Sequence, residues 1–153
     1  MTFRSMRTGL AAVAAIVSAS TLAAWHSSEA PLPVLHVVKS PTCGCCAEWV
    51  AYMKKQGFTV TVEDRAEFTA LKRSSGVTRE LESCHTAFIG GYVIEGHVPA
   101  DLVRKLLAEH PKGIKGLAAP GMPASAPGMD MPGERYTIYA FDAAGHATVY
   151  AQR

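Results

Sequence analysis

The stretch that decides the fold is VLHVVKSPTCGCCAEWVAYMKKQG, residues 34–57. Its first part, Val34–Val38, is rich in β-branched residues and predicts a buried central strand. The chain then turns at Pro41, and over Cys46–Gln56 apolar residues recur at helical spacing before a glycine stop at Gly57. A cluster of cysteines is therefore expected where a strand passes into a helix.

The following residues continue the alternation of strands and helices. The predicted elements are a half-buried strand at Phe58–Glu63, a helix at Ala66–Ser74, a hairpin of Thr86–Ile89 and Tyr92–Ile94 around Gly90-Gly91, and a helix from Pro99 that ends before Pro111. The order over residues 34–112 is β-α-β-α-β-β-α. Together with cysteines at the first strand-to-helix junction, this order predicts an α/β, thioredoxin-like domain.

Two further segments follow this domain. Residues 113–134 are rich in Gly, Pro and Met and have neither a helical nor a strand period, so they predict a long irregular loop. Residues 135–153 predict an added C-terminal β-hairpin with strands at Arg135–Phe141 and Ala147–Ala151. This hairpin is expected to pack on the same domain.

The N-terminus has the pattern of a secretory signal peptide over residues 1–24. A basic start with Arg4 and Arg7 precedes an unbroken run of small and apolar residues from Leu10 to Ala24. Cleavage is expected between 23 and 30, and residues 25–33 form a linker. An uncleaved membrane anchor is the alternative, but the run is shorter than the ~20 residues that a span needs. The expected location is an oxidising compartment, the periplasm, with no membrane attachment after cleavage.

Composition narrows the classes of function. A chain of 153 residues that is 48% hydrophobic fits one ordinary globular domain. A net charge of +2 is too balanced for a protein whose main work is electrostatic capture of nucleic acid, so no nucleic-acid partner is expected. Three of the four cysteines lie within residues 43–46, which is not the distribution of a disulfide framework. They predict one chemical site.

The segment Cys43-Gly44-Cys45-Cys46 combines a C-x-x-C motif with a vicinal pair. At a helix start, unpaired backbone N–H groups and the helix dipole favour the thiolate form. Three sulfurs this close suit a soft ion such as Cu(I), which makes metal binding the favoured interpretation. Disulfide exchange, with Cys43 as nucleophile and Cys46 as resolving thiol, is the main alternative. A static disulfide with a spare thiol and a structural zinc module are further alternatives, although paired zinc knuckles are absent from the sequence.

Cys84 and His85 immediately precede the predicted third strand. In a thioredoxin-like topology the loop entering this strand passes beside the cysteine motif, and the position where a cis-proline commonly stands is here occupied by Ser83-Cys84-His85-Thr86. Both side chains are therefore predicted metal ligands at the Cys43 cluster. A small buried cysteine and a hydrogen-bonded loop histidine are the alternatives.

Three methionines, Met122, Met129 and Met131, lie in the predicted loop, where no helix or strand face explains them. Thioethers select Cu(I), so Met122 and Met129 are further candidate ligands; loose packing of the loop over the domain is the alternative. His97, between the fourth strand and the third helix, is interpreted as a turn or helix-start residue.

Several segments in order resemble the periplasmic CopG-type copper-resistance proteins, the domain of unknown function 411 family. They are Cys43-Gly44-Cys45-Cys46, Ser83-Cys84-His85-Thr86, Tyr92 to Pro99, Gly116 to Pro123 and Pro127 to Asp130. The resemblance runs from about Val34 to Tyr150 and implies a thioredoxin-like fold with copper bound by the sulfurs of Cys43, Cys45, Cys46 and Cys84.

The resemblance also implies a role in copper tolerance and in the interconversion of Cu(I) and Cu(II), the activity of a copper oxidoreductase. One or more Cu(I) ions are the expected cofactor. A periplasmic copper-handling or electron-transfer protein is the expected partner. The predictions for His85, Met122 and Met129 rest on ligand chemistry alone.

Overall fold

A computed structural model describes residues 31–129, 131–133 and 135–153. The predicted signal peptide, residues 1–24, and most of the predicted linker, residues 25–33, lie outside the described part of the chain. None of the described helices combines the length and the apolarity that a membrane crossing requires.

The described residues form a mixed α/β fold around one sheet of seven strands. The elements are β1 (Leu35–Lys39), α1 (Gly44–Lys55), β2 (Val60–Asp64), α2 (Thr69–Ser74), a 3-10 turn (Arg79–Leu81), β3 (His85–Ile89), β4 (Tyr92–Glu95), α3 (Ala100–Glu109), β5 (Gly116–Ala118), β6 (Thr137–Phe141) and β7 (Ala147–Gln152). The predicted order β-α-β-α-β-β-α and the added C-terminal hairpin are confirmed.

The sheet has the strand order β2-β1-β3-β4-β5-β6-β7. β1 pairs in parallel with β2 and antiparallel with β3, which explains its apolar sequence: Leu35, Val37 and Val38 are fully buried. β2 is an edge strand, so Val62 is 40% exposed, and the predicted half-buried alternation overstates the burial of this strand. Phe58, which lies before β2, is buried instead.

The hydrophobic core lies between the sheet and helices α1 and α3. Trp49 and Met53 of α1 and Leu106 of α3 are fully buried, and full burial of such a side chain stabilises the fold by about 1.5–3 kcal/mol. The Trp49 indole also donates a hydrogen bond to the Val98 carbonyl at 3.0 Å. This bond ties α1, which carries the cysteines, to the segment that precedes α3.

Helix α2 differs from the prediction. It begins at Thr69 rather than Ala66, and its buried residue is Lys72, whereas the apolar residues Phe68 and Leu71 are only half-buried. Lys72 is buried because its ammonium group pairs with Glu95 inside the protein. A search for apolar periodicity does not detect such a residue.

Residues 113–134 are not wholly irregular, contrary to the prediction. Gly116–Ala118 form β5, which pairs in parallel with β4 and antiparallel with β6 and so joins the hairpin to the rest of the sheet. Position 116 requires glycine because a Cβ there would collide with the Val93 carbonyl oxygen. Three residues are too few to show a readable strand period.

Candidate metal centre

The cysteine motif occupies the first turn of α1. The helix begins at Gly44 rather than at the predicted Cys46, with Cys43 as its N-cap, so Cys45 and Cys46 both lie in the first turn. This turn has no acidic residue and no side-chain cap. Its backbone N–H groups and the helix dipole therefore favour negative charge on the sulfurs.

The sulfurs of the motif are in contact. Cys43 and Cys46 form a disulfide, and the free Cys45 Sγ lies 3.6 Å from Cys43 Sγ. Cys46 is fully buried, whereas Cys43 and Cys45 are half-buried. The motif therefore has one sulfur anchored in the core and two that solvent reaches.

The loop that enters β3 brings a fourth sulfur to this motif. Cys84 is separated from Cys46 by 38 residues, yet its carbonyl oxygen lies 3.7 Å from Cys46 Sγ. The sulfurs of Cys43, Cys45, Cys46 and Cys84 all lie within 4.8 Å of one another. The structure thus brings together the four cysteines that the sequence selected.

His97 is a member of the site that sequence reasoning missed. Its Nε2 lies 3.1 Å from Cys84 Sγ, and its Nδ1 lies 2.8 Å from the Pro127 carbonyl oxygen. Because a carbonyl only accepts, Nδ1 donates the hydrogen bond to Pro127, and Nε2 is the ring nitrogen that faces Cys84. Metal-binding histidines typically donate their second N–H in this manner.

The β3–β4 hairpin contains the signal that would have found His97. Thr86 pairs with Glu95 across this hairpin. The same register, continued two positions beyond the Thr86–Glu95 pair, sets Cys84 opposite His97. The Gly96 N–H donates to the His85 carbonyl at 2.9 Å and extends the pairing toward them.

His85 is fully buried between two rings. Its ring centroid is 4.4 Å from that of Trp49 and 5.0 Å from that of His97. Burial, followed by the charges of His97 and Lys72, holds the pKa of His85 well below its usual range, so the ring is neutral. Its Nδ1 lies 3.5 Å from Cys84 Sγ, and its buried Nε2 has no hydrogen-bond partner among the described residues. A neutral imidazole is the form that binds metals.

Cys84 is protonated at neutral pH in this arrangement. Burial, and then the charge of Cys45, raises the pKa of Cys84 to about 12. This thiol lies within hydrogen-bond reach of Nε2 of His97. A cation bound at Cys84 would replace this proton.

Met122 lies at an opening beside Cys84. Both residues line a cavity of about 310 Å³, together with Glu82, Ser83 and Gly121. The Ser83 hydroxyl donates to the Gly121 carbonyl, and the Gly121 N–H donates to the Glu82 carbonyl at 2.8 Å. Met122 is 61% exposed, so its thioether lies at the mouth of the site rather than inside it.

A second part of the same loop folds onto the start of α1. Pro127 accepts the hydrogen bond from His97, and Gly128 packs so closely on α1 that a Cβ would lie 2.6 Å from the Trp49 backbone nitrogen. Met129 follows this contact and is half-buried, whereas Met131 is 60% exposed. The loop is therefore attached beside the cysteine motif as well as beside Cys84.

Gly128→Ala is expected to weaken this attachment strongly. The new methyl group would meet the α1 backbone, and Gly128 has a φ of +83°, which strains any L-residue. We expect a loss of about 2–4 kcal/mol in the free energy of unfolding, measured by urea titration, from overpacking and left-handed strain together.

Gly113→Ala is the matched control for this substitution. Gly113 lies in the same segment with a φ of +79°, but a Cβ there has no neighbour within 4 Å. It should show the left-handed strain alone, about 1–2 kcal/mol. Equal losses for the two variants would contradict the close contact of the loop with α1.

The donor set fits a soft ion. Four sulfurs and two imidazoles meet at Cys84, which belongs both to the four-cysteine group and to a group with His85 and His97. Thiolates select Cu(I), and imidazole accepts both oxidation states of copper. The Nδ1 of His85, 3.5 Å from Cys84 Sγ, is the nitrogen of this ring that the structure brings to the sulfurs.

Two solved structures are similar to this chain. The structure described as "Copper resistance protein copG- Form 1" is 36% identical over 79% of this chain and 98% of its own, with a TM-score of 0.73. "Copper resistance protein copG- Form 2" is 36% identical over 80% of this chain and 98% of its own, with a TM-score of 0.74. The chain belongs to the CopG-type family.

A family model described as "Protein of unknown function, DUF411" matches residues 81–129. In this CopG-type chain, those residues include Cys84, His85, His97, Met122 and Met129. The cysteine motif of α1 lies before the matched segment. The sequence has no significant match among curated proteins.

Proposed function

We propose that this chain binds Cu(I) through Cys43, Cys45, Cys46 and Cys84 and serves in copper resistance. The observation that carries the proposal is the meeting of four sulfurs within 4.8 Å at the start of α1. The names of its structural relatives support the choice of copper over other soft ions. The proposed location is the periplasm, reached through the signal peptide of residues 1–24.

The four cysteines have different tasks in this proposal. Cys46 is fully buried and fixes the site to the core, whereas Cys43 and Cys45 are partly open to an incoming ion. The Cys43–Cys46 disulfide must be reduced by two electrons before all four sulfurs bind metal. Bound copper supplies an exchangeable electron, and the neighbouring thiols supply a two-electron couple of their own.

The two states of the cysteine pair offer different ligands to copper. With the disulfide formed, the remaining donors are the free thiols of Cys45 and Cys84 and the imidazoles of His85 and His97. With the disulfide reduced, four thiols are present. Because imidazoles tolerate Cu(II) and thiolates favour Cu(I), reduction of the pair shifts the preference of the site toward Cu(I). This difference is the basis for proposing Cu(I)/Cu(II) interconversion.

An anaerobic competition titration tests the proposed function. The fully reduced protein, mixed with a coloured Cu(I) chelator, should retain one or more Cu(I) ions per chain. Protein with the disulfide intact should retain less Cu(I), because two of its four sulfurs are bonded to each other. Complete transfer of copper from the reduced protein to the chelator would contradict the proposal.

Thiol-disulfide exchange is the second candidate function, and the Cys43–Cys46 disulfide at the start of a helix favours it. Cys43 is the more exposed of the pair and would be attacked first. An exchange enzyme needs only this pair, so its activity on a model disulfide should survive loss of Cys84. A copper site should not survive that change.

Met122 and Met129 are proposed to adjust the site rather than to anchor copper. The thiolates already bind Cu(I) strongly, so a thioether adds little affinity but changes solvent access and redox potential. Replacing both methionines by Leu keeps apolar bulk and removes sulfur. We expect Cu(I) affinity to stay within about threefold of the parent while the rate of copper oxidation changes by about tenfold.

The control for this double variant is Met131→Leu, which removes from the same loop a sulfur of a residue as exposed as Met122. This variant should have the same Cu(I) affinity and the same rate of copper oxidation as the parent. If the double variant also matches the parent in both, Met122 and Met129 are packing or linker residues.

A further inference from the structure

A buried charged network lies behind the Cys84 segment. Lys72 Nζ of α2 is 2.5 Å from Glu95 Oε1 and donates to Thr86 Oγ1 at 2.9 Å. The Thr86 hydroxyl in turn donates to Glu95 Oε2 at 2.7 Å. The Glu95 side chain is fully buried and that of Lys72 is 8% exposed.

Stability alone is a weak reason for such a network. Removing two charges from water costs several kcal/mol per ion, and well-packed apolar replacements are often as stable or more stable. The contacts of Glu95 indicate what the network holds. Its Oε1 also accepts the Ser83 backbone N–H at 2.7 Å.

The network forms hydrogen bonds to both ends of the segment that carries Cys84 and His85. Ser83, bound through its N–H, lies immediately before this pair, and Thr86, bound through its hydroxyl, lies immediately after it. Glu95 is two residues before His97, and its own carbonyl accepts the Ala119 N–H at 2.9 Å. The Glu95 carboxylate therefore fixes the position of Cys84 relative to the turn that carries His97.

We propose that the Lys72–Glu95–Thr86 network positions the metal centre by holding Ser83–Thr86 so that Cys84 faces both the cysteines of α1 and His97. None of its three members belongs to the proposed ligand set. They act through the Ser83 N–H and the Thr86 hydroxyl. The copper part of this inference rests on the proposed function, whereas the geometric part is testable without metal.

Two double variants separate positioning from charge. Lys72→Met with Glu95→Gln removes both charges and keeps an oxygen that accepts the Ser83 N–H. Lys72→Met with Glu95→Leu removes both charges and this acceptor. The two variants have equal net charge and similar volume, so they differ chiefly in the bond to Ser83.

In the metal-free protein, amide hydrogen exchange at Ser83 should be at least about tenfold faster in the Leu variant than in the Gln variant, because one hydrogen bond is lost. In the Cu(I) competition titration, the Gln variant should stay within about threefold of the parent, and the Leu variant should lose about 10- to 100-fold in affinity. Equal exchange and equal affinity in both variants would overturn the proposal.

Leu106→Ala controls for lowered stability, since it truncates a buried side chain of α3 outside the network. It should lower the free energy of unfolding and leave Cu(I) affinity unchanged. If it lowers Cu(I) affinity as much as the Leu variant does, the network acts only through stability and the proposal is overturned. If the Leu variant does not fold, Thr86→Val against Thr86→Ser tests the other end of the segment, because Val removes and Ser keeps the hydroxyl that bonds to Glu95. The loss of Cu(I) affinity is then expected for Val alone. A parent that binds no Cu(I) would refute the proposed function, and the exchange rates would still decide the positioning.

Discussion

Replacing Cys84 with Ser will lower the affinity for Cu(I) by at least about 100-fold, because a ligand shared by two groups of donors is lost. Cys84 lies close to both the α1 cysteines and His97. Serine has nearly the same size, but its hydroxyl is a hard and weak donor for Cu(I). The measurement is the anaerobic competition titration of the reduced variant.

The fold should remain intact in this variant. Cys84 is half-buried and does not belong to the hydrophobic core. The far-ultraviolet circular dichroism spectrum and the urea midpoint are therefore expected to stay close to those of the parent. A folded Cys84→Ser protein with parental Cu(I) affinity would refute the role of the β3 entry loop in the site.

Replacing Cys45 with Ser will have the second large effect, a loss of at least about 100-fold in Cu(I) affinity without loss of the disulfide. Cys45 Sγ lies 3.6 Å from Cys43 Sγ but is not bonded to it. The Cys43–Cys46 pair is complete without it, so oxidation and reduction of this pair should proceed as in the parent. Copper binding and disulfide chemistry are thus expected to separate at this residue.

Copper stoichiometry and thiol counting together check this expectation. The variant should lose two thiols on oxidation, as the parent does, and should retain less copper than the parent. Unchanged copper stoichiometry would remove Cys45 from the site. If the variant exchanges disulfides at the rate of the parent, and both proteins lose all their copper to the chelator, the oxidoreductase alternative is favoured.

The cysteine motif was predictable because strand and helix signals flank it directly. The apolar run that became β1 and the helical spacing of Trp49 and Met53 place the motif at the start of α1. The approach of Cys84 followed from topology, since the segment entering β3 lies beside that helix start. These two predictions needed only local sequence patterns and the rule that, in this topology, the segment entering β3 lies beside the start of α1.

The features that escaped prediction depend on pairing and on polar burial. His97 lies in the site because of the register in which β3 pairs with β4. This register is found only by counting residues outward from the Gly90-Gly91 turn. β5 is too short to show a period and is created by its neighbours β4 and β6. Lys72 is buried by its bond to Glu95, a contact between distant residues that no apolar pattern reveals.

X-ray absorption at the copper edge of the reduced, Cu(I)-loaded protein tests the central claim most directly. The account predicts an edge typical of Cu(I) and a first shell dominated by sulfur, with sulfur scattering reduced in the Cys45→Ser and Cys84→Ser variants. A first shell of nitrogen and oxygen alone, unchanged in both variants, would contradict a copper site built from the cysteines of α1 and the β3 entry loop.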